Sequence, residues 1–319
     1  MNRKIKKLII AWICFGLLVV LMFVGIRKII QIENEGKPVE AAKVLTQKVT
    51  FDSNTDITSK SAANYLAYLD KAYILFGTYP DCEYYKISAN VTRNEYDWAK
   101  DFYVQEGGLY KNYYKNGVAS GTAGIDVSEF QGDIDWTKVK AAGIGKAFLR
   151  VGYRGYGADG KITQDAKYND NVAGAIDAGI STGVYFYSEA VNYAEGAEEA
   201  NFCLQQIKDH NITEPVVCDT EYMYGVNARA NGISSDNRTD AILGFCETIE
   251  KAGYTPMVYA SRDWFIKNIN IDKIGKYKLW LAAYETPVFP YHTEGYQYSN
   301  QGYVDGISSA KVDLDVFMY

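Results

Sequence analysis

The stretch Gly124-Ile-Asp-Val-Ser-Glu-Phe-Gln-Gly-Asp-Ile-Asp-Trp136 is the most informative in the chain. It places a carboxylate, Asp126, at the end of a short apolar strand and follows it with a helix start. Farther along, Pro215-Val-Val-Cys-Asp-Thr-Glu221 repeats the pattern. Side chains at i and i+2 of a strand share a face and lie about 6.6 Å apart along the chain. Asp219 and Glu221 are therefore predicted to point the same way, and acids gathered like this are typical of glycosidases.

Outward from these two stretches, apolar β-rich runs alternate with helical patterns, which predicts an α/β fold with a parallel sheet. Strands are predicted near 124–127, 146–151, 182–187, 215–219 and 255–260, and helices begin near 135, 168, 194, 237 and 262. Later strands near 279–284, 295–299 and 311–317 are separated by loops too short for full helices. Eight strands imply a TIM-like barrel with an irregular final third.

The active site of such a barrel forms at the carboxyl ends of its strands. An Asp after a strand is often only a helix N-cap, and we predict that role for Asp133 or Asp135. For Asp219 and Glu221 this explanation is weak, because two acids at the end of an apolar run repel each other and lose solvation unless a function or a cation retains them. The predicted rim carries Asp126, Tyr187, Asp219, Glu221 and Tyr284, with Asp313 in the last strand.

Asp126-Val-Ser-Glu-Phe-Gln-Gly132 with Ile134-Asp-Trp136, and Asp219-Thr-Glu221, resemble the glycoside hydrolase family 25 lysozymes, the Chalaropsis-type N-acetylmuramidases. Further matching pieces follow in the family's order: Ala178–Ile180, Gly183–Tyr187, Leu279–Tyr284, Tyr296–Ser299 and Val312–Asp315. The resemblance runs from about Gly124 to Tyr319. It implies an irregular TIM-like (β/α)5(β)3 barrel.

The resemblance also implies an activity, hydrolysis of the β-1,4 bond between N-acetylmuramic acid and N-acetylglucosamine in peptidoglycan by carboxylate acid/base catalysis. It implies that Glu221 is the proton donor, with Asp126, Asp219 and Asp313 as the other acids. The residues themselves point the same way, because crowding by Asp219 and Asp126 should raise the pKa of Glu221. Covalent, acetamido-assisted and inverting routes all remain open at this stage.

Rings and amides near the rim are candidates for holding the sugar. The resemblance places Tyr187, Trp280, Tyr284, Gln297 and Tyr298 in the substrate groove, although each could instead be a core residue. Arg150 is either a further groove residue or a cation that keeps the acids ionised. Where the family often has Val-Asp-x-Asn, this chain has Val312-Asp-Leu-Asp315, which leaves open whether Asp313 or Asp315 faces the groove.

The amino terminus predicts a membrane anchor. Leu8 to Ile26 carries no charge and would be about 28 Å long as a helix, enough to cross a bilayer. The cations before it predict a cytoplasmic N-terminus, and hence a single-pass protein of the bacterial cell membrane with an extracytoplasmic catalytic domain. A cleaved signal peptide is the alternative. The preceding cations are Arg3, Lys4, Lys6 and Lys7.

These features divide the chain into an anchor (1–28), a stalk or small helical region (29–123) and a catalytic barrel (124–319). A helix is predicted over Ala62–Phe76 from its apolar spacing. A second is predicted from Thr92, because Thr92–Glu95 fits a capping box with Trp98, Phe102 and Tyr103 at helical spacing behind it. Envelope or secretion-apparatus proteins are the partners that region 29–123 suggests.

Composition and charge limit the partners, cofactors and functions that the chain can have. The net charge of -6 argues against nucleic acid as a partner. Five cysteines without paired spacing, with only His210 and His292 to assist, predict neither a disulfide framework nor a metal site, so no cofactor is expected. A non-catalytic peptidoglycan-binding module of an envelope assembly remains the main alternative function. A metal-dependent hydrolase using the carboxylates as ligands is a further one.

Overall fold

A computed structural model of the chain describes residues 72–76, 83–285, 287–307 and 311–319. The chain divides into two compact units, Met1–Tyr73 and Ile74–Tyr319, and the following concerns the second. The predicted membrane segment Leu8–Ile26 lies outside the described residues. Within the described ranges, no helix has both the length and the apolar character needed to cross a bilayer.

Between residue 72 and the barrel, the residues that the structure describes form short strands rather than the two predicted helices. They are β1 (Tyr73–Phe76), β2 (Glu83–Lys86), β3 (Phe102–Tyr103), β4 (Asn112–Lys115) and β5 (Val118–Ala119). β1 pairs with β2, and β3, β4 and β5 form a three-stranded antiparallel sheet.

The helix predicted from Thr92 is therefore wrong. The Thr92 carbonyl accepts a hydrogen bond from the His292 N–H at 2.9 Å, and the Asn94 N–H donates to the Pro290 carbonyl at 3.0 Å. These distant partners outweigh the local capping-box signal, since propensity is only a weak prior against tertiary contacts. The helix predicted over Ala62–Phe76 is wrong at its carboxyl end, where Tyr73–Phe76 form strand β1. Residues 62–71 of that prediction lie outside the described ranges.

Two of the three aromatic residues at helical spacing, Trp98 and Phe102, pack on the outside of the barrel. The rings of Trp98 and Phe102 stack at 4.9 Å between centroids, and both meet Tyr296 edge-on. Phe102 also packs against Tyr113 and, with Tyr296, against Val316. Residues 96–113 therefore cover a face of the barrel that lacks a helix.

We expect Phe102→Ala to lower the free energy of unfolding of the whole unit by about 3–5 kcal/mol, because it empties a site buried between the segment and the barrel. Denaturant titration monitored by tryptophan fluorescence measures this. Leu109→Ala is the matched control, since Leu109 is 74% exposed and its loss should cost little. An unchanged unfolding midpoint for Phe102→Ala would show that the barrel does not depend on the segment.

The predicted α/β barrel is confirmed. Its eight strands are β6 (Thr122–Val127), β7 (Lys146–Arg154), β9 (Ser181–Tyr187), β10 (Val216–Asp219), β11 (Pro256–Ser261), β12 (Lys278–Ala282), β13 (Gly295–Gly302) and β14 (Val312–Phe317), while β8 (Ile162–Gln164) forms a hairpin with β7. The order β6-β14-β13-β12-β11-β10-β9-β7 closes through β6–β7 pairing. Neighbouring strands of the closed barrel are parallel except at β14, which is antiparallel to both β13 and β6.

Helices follow only the first five barrel strands among the residues described. They are α1 (Trp136–Ala141), α2 (Tyr168–Asp177), α3 (Tyr193–Ile207), α4 (Ser235–Lys251), α5 (Arg262–Lys267) and α6 (Ile271–Ile274), with a short 3-10 turn at Glu129–Gln131. Asp135 accepts a hydrogen bond from the Lys138 N–H and caps α1, so one of the two predicted N-caps is confirmed.

Large rings close the barrel interior beneath the rim. Phe148, Trp280 and Phe317 pack together with Val217 and Met257. Two inward-facing glycines make room for them: a Cβ on Gly183 would lie 2.4 Å from the Phe148 ring, and one on Gly295 would lie 2.8 Å from the Trp280 ring. The floor under the rim is therefore solid.

Candidate active site

A cavity of about 300 Å³ opens at the carboxyl ends of the parallel strands. Because β14 runs the opposite way, its first residues reach this rim, and Asp313 lies directly across from Asp126 of β6. The cavity is lined by Asp126, Ser128, Phe130, Gln131, Arg150, Tyr185, Tyr187, Asp219, Glu221, Tyr259, Trp280, Tyr284, Gln297, Asn300 and Asp313. All four predicted acids thus meet in one place.

Asp126 is held by an oriented amide. Gln297 Nε2 donates to Asp126 Oδ2 at 2.8 Å, and Gln297 Oε1 accepts from the hydroxyls of Tyr259 at 2.9 Å and Tyr284 at 3.0 Å. Burial, then the charges of Asp313 and Asp315, raise the pKa of Asp126, whereas the Gln297 hydrogen bond lowers it. Gln297 therefore fixes the position of the carboxylate as well as lining the cavity.

Asp219 and Glu221 form a closely coupled pair of acids at the end of β10. Asp219 is buried between Tyr187 and Tyr259 of the neighbouring strands, and its Oδ1 has no hydrogen-bond partner. Glu221 is partly exposed to the cavity. Burial first, and then the Glu221 charge, raise the pKa of Asp219. The side-chain hydrogen bond between Asp219 and Glu221 requires that one of the two carboxyl groups carries a proton.

Burial raises the pKa of Glu221 to about 7, and the charges of Asp313 and Glu189 add to the effect. The predicted direction is thus present, but its causes differ from those expected from the sequence. Desolvation outweighs the neighbouring charges, and Asp219 acts through a hydrogen bond that lowers the pKa of Glu221. Glu221 thus remains protonated in part of the molecules at neutral pH.

Asp313 and Asp315 share the inward face of β14 but differ in depth. Asp313 lines the cavity, and burial raises its pKa to about 6. Asp315 lies one step deeper, is fully buried and accepts a hydrogen bond from Trp280 Nε1 at 3.0 Å. Asp313 is therefore the residue that faces the groove.

Arg150 is the cation that lines this cavity among the described residues. Its Nε donates to Asp165 Oδ2 at 2.7 Å and its Nη2 to Glu129 Oε1 at 2.9 Å, so two carboxylates outside the acid cluster already compensate its charge. Its remaining field lowers the pKa of Asp219, against the larger effect of burial.

Four of the five predicted sugar-binding side chains line the cavity: Tyr187, Trp280, Tyr284 and Gln297. The placement of Tyr298 is corrected, because it follows Gln297 along β13 and points to the other face of the strand. There its hydroxyl accepts a hydrogen bond from the Lys111 backbone N–H at 3.1 Å.

Other cavity residues were not singled out from the sequence. Tyr185 lies two positions before Tyr187, so strand alternation could have identified it. Tyr259 lies on β11, a strand on which no site residue was predicted, so alternation had no reference point there. Phe130 and Gln131 belong to the quoted opening stretch and lie in the 3-10 turn that follows β6. Nothing in the local pattern marks Asn300, which comes after an irregularity in β13 pairing. Among the residues described, no group of three or more His, Cys, Asp or Glu is placed to hold a metal ion.

Comparison with known proteins gives consistent matches. Residues 125–307 match a family model described as glycosyl hydrolases family 25. The chain is 27% identical over 196 residues to the autolytic lysozyme of Clostridium acetobutylicum, covering 61% of this chain and 55% of that protein. It therefore spans about half the length of this curated relative.

Two solved structures are similar to the chain. The modular autolysin LytC of Streptococcus pneumoniae, in complex with a synthetic peptidoglycan ligand, is 26% identical with a TM-score of 0.57, covering 78% of this chain and 57% of that chain. A bacterial lysozyme from Streptomyces coelicolor is 26% identical with a TM-score of 0.51, covering 62% of this chain and 92% of that chain.

Proposed function

This chain belongs to the glycosyl hydrolases family 25, and from that premise we propose that it is a peptidoglycan hydrolase that cleaves the β-1,4 bond between N-acetylmuramic acid and N-acetylglucosamine. The relatives named lysozymes and autolysins support this substrate class. The observation that carries the proposal is the Asp219–Glu221 pair, which keeps a proton near neutral pH at the mouth of an acid-lined cavity.

The chemistry follows from the different environments of the acids. A glycosidic oxygen leaves only when it is protonated, and Glu221, half-open to the cavity with a pKa of about 7, is the acid able to supply that proton. The oxocarbenium character that develops at the anomeric carbon is stabilised by nearby anionic carboxylates. Asp126 suits that role, because it lines the cavity and because the hydrogen bond from Gln297 favours its ionised form, opposing the rise that burial causes in its pKa.

Exposed rings at the rim would hold the sugar chain. Tyr284 is 52% exposed and Phe130 is 71% exposed, and both line the cavity. Such rings can stack on pyranose faces, whereas Trp280 is almost wholly buried and supports the floor.

Digestion of purified peptidoglycan by the full chain in detergent tests the proposal, with the new reducing ends identified by mass spectrometry. We expect muramic acid ends. Glucosamine ends would assign a different glycosidase specificity, and binding without new ends would favour a non-catalytic peptidoglycan-binding module.

We also propose that Leu8–Ile26 anchors the protein in the bacterial cell membrane as a single span, with a cytoplasmic N-terminus and the barrel outside. The uncharged length of this segment and the cations before it support this topology. Anchoring would confine cell-wall remodelling to glycan near the membrane, and region 29–123 would contact envelope or secretion-apparatus proteins. Degradation of the barrel by protease added outside spheroplasts is expected, and full protection would reject this topology.

A further inference from the structure

Asp315 is a buried carboxyl group for which the proposed reaction has no direct use. It is fully buried in β14, where it pairs with Gln297 of β13 on one side and Gly124 of β6 on the other. Its Oδ1 accepts from Trp280 Nε1, but its Oδ2 has no hydrogen-bond partner. If Asp315 were ionised, Oδ2 would be a buried acceptor without a donor, and an unsatisfied buried polar atom costs free energy.

The charges around Asp315 make its ionised form unfavourable. Asp126 and Asp313 would be anions beside it, and the cavity-lining cation Arg150 is already bound by Glu129 and Asp165. A third buried anion without a cation partner costs far more than a neutral acid. The titratable and charged groups around this region are Asp126 on β6, Arg150 on β7, Tyr185 on β9, Asp219 on β10, Tyr259 on β11 and Asp313 on β14. On the outer face of β13, Tyr298 also senses the charge of Asp315.

A proton on Asp315 removes both unfavourable features, the unpartnered Oδ2 and the unpaired buried charge. Protonated Oδ2 becomes a donor, and the Asp126 carboxyl is a side-chain hydrogen-bond partner of Asp315. Taken alone, this contact lowers the pKa of Asp315, as it would if Asp126 carried the shared proton, but burial raises the pKa of Asp315 by more. Of the two, Asp126 is the better place for the negative charge, because it opens onto the cavity and accepts from Gln297, whereas Asp315 has no access to solvent. The neutral acid also removes one of the charges that disfavour ionised Asp126.

We propose that Asp315 is held as a neutral carboxylic acid that accepts from Trp280 through Oδ1 and donates through Oδ2–H to Asp126. With Gln297 this gives Asp126 two donors, which fix its orientation and its negative charge at the base of the cavity. Asp315 is then a positioning residue that does not touch substrate. Its effect on turnover rests on the proposed function, but its protonation does not.

Two substitutions separate this role from a merely structural one. Asp315→Asn keeps the shape, an oxygen for Trp280 and an N–H donor for Asp126, so we expect most of the wild-type kcat and an unchanged pH profile. Asp315→Val keeps a similar volume but neither accepts nor donates, and we expect kcat to fall on the order of tenfold to a hundredfold with little change in KM. If Asp315→Asn instead moves the alkaline limb to lower pH, Asp315 was a charge that raised the pKa of its neighbours, and the proposal is overturned.

Infrared spectroscopy tests the protonation without any substrate. The difference spectrum between the wild-type chain and Asp315→Asn at pH 7 should show the carbonyl band of a protonated carboxyl group in the wild type. A carboxylate band in its place would overturn the proposal, even if the enzyme proved inactive or Asp315→Val failed to fold. Thermal unfolding of each variant checks that the barrel is intact.

Discussion

Replacing Glu221 with glutamine is expected to lower kcat on purified peptidoglycan by about 10²–10⁴-fold, the usual contribution of a general acid. Glutamine keeps the shape of the side chain but has no acidic proton, so KM should change little. The free energy of unfolding should not fall, because the amide avoids the cost of a buried charge. Counting new muramic acid ends measures the rate.

The pH dependence of kcat tests independently whether Glu221 is the general acid. The acid must be protonated to act, and burial raises the pKa of Glu221 to about 7, so the wild-type rate should fall as the pH rises through about 7. The residual activity of Glu221→Gln should lack this limb. Glu106→Gln, an exposed glutamate in a turn, is the control that should retain both the rate and the limb. A Glu221→Gln variant that kept the wild-type rate would remove Glu221 from the mechanism.

Replacing Asp219 with asparagine should have the second largest effect, also a loss of about 10²–10⁴-fold in kcat, because the variant removes the carboxyl that shares a proton with Glu221. The thermal stability of Asp219→Asn, unlike its kcat, should not fall. The folded protein keeps Asp219 protonated well above its ordinary pKa, whereas the unfolded chain releases that proton, so the wild type loses stability as the pH rises above the unfolded value.

Asparagine is neutral in both states and escapes this loss, so at pH 7 the melting temperature of Asp219→Asn should equal or exceed that of the wild type. Differential scanning calorimetry beside the rate assay measures both effects. Asp170→Asn, at an exposed position in the first turn of α2, is the control and should change neither. A joint fall of rate and melting temperature would point to a structural role for Asp219 instead.

The barrel could be predicted from the sequence because each parallel strand is a short apolar run followed by a helical pattern or a turn. The acids could be predicted too, since they come directly after such runs. The depth of Asp315 could not, because strand alternation gives the face of a residue but not its height in the barrel. The error at Thr92 has a different origin: its backbone partners lie near residue 291, and no local pattern shows them.

The closing contacts of the barrel also constrain the order in which the chain can fold. β6 is complete early in synthesis, yet one of its edges pairs with β14, the last strand of the barrel, and the aromatic segment before β6 docks on β13 and β14. Both sets of contacts span most of the unit, so the entropy of closing long loops opposes them until the carboxyl-terminal strands are available. Until then an unpaired strand edge and a row of uncovered rings are exposed, which makes the unfinished chain prone to aggregation. We therefore expect folding to be slow, with barrel closure as its last step.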